Sequence, residues 1–406
     1  MNVGRLILVA LAWWSITARA ADPFENWTTD LGPQDSIPFE FEATSRTVAI
    51  GDLHADPDAF LTLLQGTNLI DSHGHWTGGD TRLVVLGDIV SRGWNSRFIF
   101  DLLSELEVQA EKAGGGVHVL LGNHEQMKVM DSFERDYAER ERFQYWDLIP
   151  QLTEEDVRNE IRIFQSALGP LSSEGLHQLR SRMLGQHGDR AYRAAFTDWN
   201  SPYLRAIHQR NTYIMVGDTL FGHAGFSRWL RGQERSVLGE INATHRAFLK
   251  ESTRFVNRER LTEPHHWVTH HDGPVWTRQL ADKKLSQGEV DHALWGVQAR
   301  RVVFGHTWRK DGVIEASYDD KAWNIDTGIS GAYAGKICAL ELKPGDPPRR
   351  LKYLRYLGAH PWREDIERRF ARNHHPLTAL EIDFQRVALS CSGSLAQEGG
   401  PDEKDP

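Results

Sequence analysis

Two cysteines in 406 residues exclude a disulfide scaffold and a thiolate metal knuckle together. Cys338 and Cys391 are far apart and lack metal-site spacing. Cys338 lies in the apolar run "KICALEL", the setting of a small core residue, although pairing with Cys391 stays open. Basic charge is in deficit too: Lys and Arg number 47 against 56 Asp and Glu, a net charge of −9. A general nucleic-acid binder needs the opposite excess to displace counterions, so no nucleic-acid partner is expected. Membrane-length apolar runs are absent. Leu6–Trp14 is apolar, but a span needs about 20 residues. With Arg5 before it and Ala18-Arg19-Ala20 after it, this run has the form of a secretory leader over 1–20, cut after Ala20. That predicts an exported, periplasmic or secreted protein. No cysteine follows the cut, so no lipid anchor is expected. No internal repeat is present.

What is there reads as an α/β protein. Residues 21–45 are rich in Pro, Asp and aromatics without periodicity, an extended lead-in. A strand at 47–52, a helix at 56–67, a strand at 82–88, a helix at 96–116 and a strand at 117–123 follow. Strand-helix alternation implies parallel crossovers, with ligands at the strand ends. From 126 to 211 the chain is charged and helical in period, a helical insertion. Strand character returns at 212–225, 301–307, "AWNIDTG" and "KICALELK". The single domain expected over 46–345 is followed by a polar extension, 346–406, with helix-like "HPLTALEIDFQRVAL" and a disordered end.

Five short apolar strands run into glycine followed by a metal-competent side chain: "AIGDLHAD", "VVLGDIVSRG", "LLGNHEQM", "LFGHAG" and "VFGHT". Glycine lets the chain turn sharply as it leaves the sheet. One Gly-Asp is an ordinary turn; five such ends aimed at one crevice are a site. Asp52, His54, Asp88, Asn123, His223 and His306 supply two carboxylates, an amide oxygen and three imidazoles. Such a shell fits two divalent ions, Mn with Fe or Zn as alternatives, better than Ca or Mg. Asp52 and His54, two apart, would point to one side of an extended chain. Asp88 is suited to bridge ions about 3.5–4 Å apart. The run "HHWVTHH" (265–271) reads as a polar loop, with a metal-capturing rim as its alternative.

The set resembles the phosphoprotein phosphatase branch of the calcineurin-like metallophosphoesterases, marked by GDxHG, GDxxDRG, GNHE, a later HGG and a further His. Within it, "VGDTLFGHAGF", "GPVWTR" and "GHTWRKDGV" look like the bacterial Shewanella-like protein phosphatases; the likeness covers roughly 46–343. The resemblance implies a metallophosphoesterase-type β-sandwich with flanking helices and a helical insertion. It assigns Asp52 and His54 to a first ion, Asp88 to the bridge, and Asn123, His223 and His306 to a second. It implies in-line attack by metal-activated hydroxide on a phosphomonoester, with His124 as general acid and Arg92 as phosphate clamp. Arg278 is implied as a second clamp and Tyr333 as a rim residue, with surface and core roles as their alternatives. The partner is a phosphorylated protein or small molecule.

Ala55 and Ala224 replace family glycines with another small residue. Ser91 is the sharper departure, because the family places there an aspartate that pairs with the acid histidine. A neutral partner predicts weaker protonation of poor leaving groups, hence a lean toward aryl phosphates such as phosphotyrosine, unless Asp56 or Glu125 substitutes. Two further readings stay open: a small-molecule diesterase or dinucleoside polyphosphatase, and a catalytically impaired phosphate-recognising protein.

Overall fold

The computed structural model describes residues 37–130, 152–168, 172–253, 266–356 and 358–371, with single positions between 144 and 150. The expected leader, most of the lead-in, His265, Cys391, the helix expected over 375–389 and the acidic end lie outside the described residues.

The chain enters through β1 (Glu40–Phe41) and β2 (Thr47–Ile50), every residue of β2 buried. Helix α1 (Pro57–Gly66) starts where its residues dictate. Asp56 Oδ1 accepts the Ala59 N–H at 2.9 Å, and Pro57 takes a first-turn position that needs no donor. After β3 (Arg82–Val85), Asn95 caps α2 (Ser96–Lys112) by accepting the Phe98 N–H. Phe98, Leu102, Leu106 and Ala110 recur at near-helical spacing along α2's buried face. Next come β4 (Gly116–Val119) and α3 (Asn123–Val129). Strands β2, β3 and β4 pair in parallel, Ile50 opposite Val85 and Val85 opposite Val119.

Between 126 and 211 the described residues form the remainder of α3, then α4 (Glu154–Leu168), α5 (Ser173–Thr197) and α6 (Pro202–His208), with no strand among them. Helix α5 packs on α3. A hairpin follows, β5 (Tyr213–Val216) and β6 (Thr219–Gly222), then α7 (Ser236–Ser252). The polar run expected to be a loop contains a single helical turn, α8 (His266–Thr269), before it turns at 270–273. Then come α9 (Gln287–Gly296), β7 (Arg301–Phe304), β8 (Glu315–Ser317), β9 (Ala322–Asn324), β10 (Ile337–Leu342), β11 (Arg349–Tyr353) and α10 (Arg363–Ala371).

The strands make two mixed sheets, ordered β11-β10-β2-β3-β4 and β1-β5-β6-β7-β9-β8. Ala49, Val84, Phe221, Val303 and Leu340 fill the apolar layer between them, and Cys338 is buried there as a free thiol. The helices cover a larger outer core built on Phe60, Leu103 and Phe248. This is the α/β sandwich with flanking helices that the sequence predicts. Strands β8 and β11 went unforeseen. Both are polar edge strands, "EAS" and "RRLKY", without an alternating apolar signal.

Candidate active site

The chain leaves β2, β3, β4, β6 and β7 at the same end of the sandwich, and the five glycine-led turns meet there. Gly122 and Gly305 are needed for close approach: a Cβ on either would lie 2.2 Å from a carboxylate oxygen, of Asp88 and Asp52 respectively. The turns are strained. His54, Ala55, Asp88, Ser91, Arg92 and His306 all have φ between 43° and 72°, a region L-residues visit rarely. His54 is therefore aimed by a left-handed turn after Asp52, not by an extended chain.

Asp88 is the centre. Its Oδ1 accepts the His124 N–H at 3.0 Å and lies 3.5 Å from His223 Nε2; its Oδ2 lies 3.8 Å from His54 Nε2 and 3.9 Å from His124 Nε2. Two ligand-competent groups share it, His54-Asp88-His124 and Asp88-His223-His306, each with its ligand atoms within 4.8 Å of one another. Asn123 Oδ1 joins the second group, 3.0 Å from both His223 Nε2 and His306 Nδ1. Asp52 is buried beside them, its carboxylate accepting the His306 N–H at 3.0 Å. Its carboxylate is outside both groups.

Each of three imidazoles is held by a backbone carbonyl at one nitrogen. His223 Nδ1–H donates to Leu86 O at 2.8 Å, His306 Nε2–H to Trp276 O at 3.0 Å, and His54 Nδ1–H to Val90 O at 3.3 Å. A carbonyl can only accept, so those nitrogens carry the proton and the opposite ones are bare when neutral. Burial holds them neutral, lowering His54 to about 3 and His223 to about 4 and pushing His306 well down. Bare nitrogens thus face Asp88 and Asn123 oxygens, lone pair against lone pair. Burial, then the Asp326 and Asp88 charges, push Asp52 well up. These groups fit divalent cations, which would satisfy every such lone pair, and the backbone bonds orient the imidazoles as metal ligands are oriented.

Around this centre, Arg92 is exposed with its guanidinium 5.4 Å above the Tyr333 ring. Tyr333 O–H lies 3.4 Å from His54 Nε2, so the tyrosine is half-buried at the rim rather than in the core. Arg278, exposed, donates from Nη1 to His306 O and Thr307 Oγ1, both at 3.1 Å. Glu125 stays out of the crevice. Its carboxylate accepts four backbone N–H groups, of Asp88, Ile89, Val90 and Gly122, at 2.7–3.2 Å and locks the β3 turn to α3. Burial pushes it up to about 7. Asp56 is occupied as well, by the α1 cap, the Gly331 N–H and Arg355. Neither carboxylate replaces the family aspartate. Ser91 Oγ is buried and makes no hydrogen bond among the described residues.

One site residue was missed. Asp326, buried at the end of β9, faces Asp52 and is raised by burial to about 6. It follows isoleucine, not glycine, so the pattern that located the others passes over it. His270, His271 and Asp272 form a further gathering at the turn after α8, one of them exposed.

Residues 45–309 match the calcineurin-like phosphoesterase family. The chain belongs to that family. Among curated relatives, Shewanella-like protein phosphatase 2 of Arabidopsis thaliana is 30% identical over 75% of this chain and 76% of its own. Shewanella-like protein phosphatase 1 of Plasmodium berghei is 22% identical over 76% of this chain and 74% of its own. Among solved structures, the cold-active protein-tyrosine phosphatase of a psychrophilic Shewanella species shares the fold, with TM-score 0.57 and 23% identity over 78% of this chain and 82% of that one. The calcineurin-like phosphoesterase described here is thus a hydrolase of phosphate esters, with a His/Asp cluster suited to divalent metal ions.

Proposed function

We propose that the chain is an exported, dinuclear metal-dependent phosphomonoesterase whose substrates are phosphoproteins, with aryl phosphates such as phosphotyrosine favoured. One observation carries the reading: the bare nitrogens of His54 and His223 converge on Asp88, and those of His223 and His306 on Asn123. Two divalent ions, with Mn the expected pair, would supply Lewis acidity toward the phosphoryl oxygens and an acidified water. The other roles belong to the chain. Arg92, braced by the Tyr333 ring, pairs with two non-bridging oxygens and sets the ester in line. His124, fixed by its backbone bond to Asp88, is placed to give a proton to the departing oxygen, a proton that burial and then His54 and Arg92 make it hold weakly. Asp52 and Glu125 hold the His306 and Asp88 turns in place.

The aryl preference is supported by Ser91. Serine brings no charge to the position where the family pattern puts the acid's partner, and Asp56 and Glu125 are engaged elsewhere. A tyrosine phenolate, of pKa about 10, departs with less help than an alkoxide. The name of the Arabidopsis relative, a protein phosphatase, supports a phosphoprotein substrate.

The test is phosphate release from p-nitrophenyl phosphate by the chain from Ala21 onward, with Mn²⁺ and with chelator. Metal-dependent turnover is expected, with bis(p-nitrophenyl) phosphate much slower. Faster diester cleavage would move the assignment to a diesterase, and metal binding without turnover would leave a phosphate-recognising protein.

A further inference from the structure

Arg301 stands at the opposite end of the strands that carry the Asp88 centre. It opens β7, which leads to His306; its register partner Thr219 opens β6, which leads to His223; Thr47 opens β2, which leads to Asp52. Side chains alternate along a strand. Arg301 therefore shares a face with Val303, Thr219 with Phe221 and Thr47 with Ala49, and those three apolar partners lie in the layer between the sheets. A guanidinium is thus directed into the end of an apolar layer, roughly 15 Å along the strands from the metal-competent crevice.

No carboxylate among the described residues lies within ion-pair distance of this cation. Arg301 is 8% exposed, and its guanidinium makes no ion pair within 4 Å and no hydrogen bond among the described residues. Burial lowers its affinity for its proton more than the fields of Asp218 and Asp320 restore it. A cavity of about 330 Å³ opens at this point, with Arg301, Thr47 and Thr219 in its lining and Arg300 and Lys343 at its rim, facing Asp218 and Asp346. Arg300 and Lys343 are exposed and likewise unpaired within 4 Å among the described residues. In the lining itself three cations stand against two carboxylates, an excess of one positive charge, and a largely buried charge is stable only when something pairs with it.

We infer that this recess is an anion site that takes a small phosphate-type oxyanion, with Arg301 at its floor and Arg300 and Lys343 at its mouth. A planar guanidinium gives two parallel donors to such an ion, and the two rim cations close over its remaining oxygens. The site is separate from the Asp88 centre and does not rest on the hydrolase reading.

Equilibrium dialysis of the metal-loaded full chain against labelled inorganic phosphate tests it. Arg301→Gln is expected to lower the bound phosphate by one per chain while kcat and KM for p-nitrophenyl phosphate stay unchanged. If the Asp88 centre also binds phosphate the count falls from two to one; if that reading fails it falls from one to zero. The paired change Arg300→Gln and Lys343→Gln is expected to weaken that same phosphate about tenfold. A count unchanged by Arg301→Gln overturns the inference. Should that variant not fold, as judged by circular dichroism, the exposed rim pair decides, and an unchanged phosphate affinity overturns it equally.

Discussion

Asp88 is the residue on which most contacts of the site turn, since its two oxygens serve His54, His124 and His223 together. Asp88→Asn keeps the shape and removes the charge. It is expected to lower kcat at least about 100-fold, more than loss of an outer-shell partner does, and to lower metal content measured by elemental analysis. Ser91→Asp runs the other way: it restores a charged partner for His124, so turnover of a phosphoserine peptide should rise relative to p-nitrophenyl phosphate. An unchanged ratio would remove Ser91 from the account of specificity. Tyr333 acts through Arg92. Tyr333→Ala frees the guanidinium and should raise KM about 2–5-fold, the range of an exposed cation–π contact; Tyr333→Phe, which keeps the ring, should leave KM near its original value.

Among the elements, β4 carries a group whose titration can be followed apart from the site. His118 is half-buried against Phe41, with ring centroids 4.0 Å apart, and Arg82 Nη1 lies 3.3 Å from its Nε2. Burial first, then the Arg82 and Arg210 charges, lower it to about 4. The unfolded chain therefore takes up this proton more readily than the folded one. Stability is intact above about pH 6.5, falls as pH drops, and has lost this contribution once pH passes about 4. His118→Gln should flatten that part of the stability profile, read from urea unfolding at pH 7 and pH 4.5. Helix α10 closes the other flank. Arg363 pairs with both Asp58 oxygens and lies 4.7 Å over the Trp94 ring, two residues beyond Arg92. It fastens the C-terminal extension to the α1 start and the β3 turn at once.

For the molecule as a whole, the charged crevice is also a stability term. Asp52, Asp88, Asp326 and four imidazoles are all buried in the crevice at the strand ends. Divalent ions that bind the folded crevice and not the unfolded chain must stabilise it by mass action. Addition of Mn²⁺ to chelator-treated protein should raise the melting temperature by several degrees, about 3–4 kcal/mol for ions at 100–1,000 times their dissociation constant. No shift on addition of Mn²⁺, Fe²⁺ or Zn²⁺ would exclude the dinuclear assignment.

The Gly-Asp, Gly-Asn and Gly-His turns and the parallel crossovers were legible along the chain, because apolar strand runs, helix caps and glycine turns are local properties; the two-sheet sandwich was implied only by the family resemblance. That the turns after β2, β3 and β4 end together follows from parallel strands of one sheet, but bringing His223 and His306 of the second sheet against Asp88, with Asp52 left outside both ligand groups, took the packing of the two sheets. Folding alone decided the rest. Asp326 reaches Asp52 from a strand without a glycine signal, Glu125 turns from the crevice to four backbone donors, and Asp56 is claimed by Arg355 almost three hundred residues on. The edge strands β8 and β11 pair through backbone that any polar sequence can supply. Which nitrogen of each imidazole faces Asp88 and Asn123, and that Arg301 points into the space between the sheets without an ion pair among the described residues, depend on atoms distant in the chain. No spacing rule encodes contacts of that range, because they arise only when both sheets are packed.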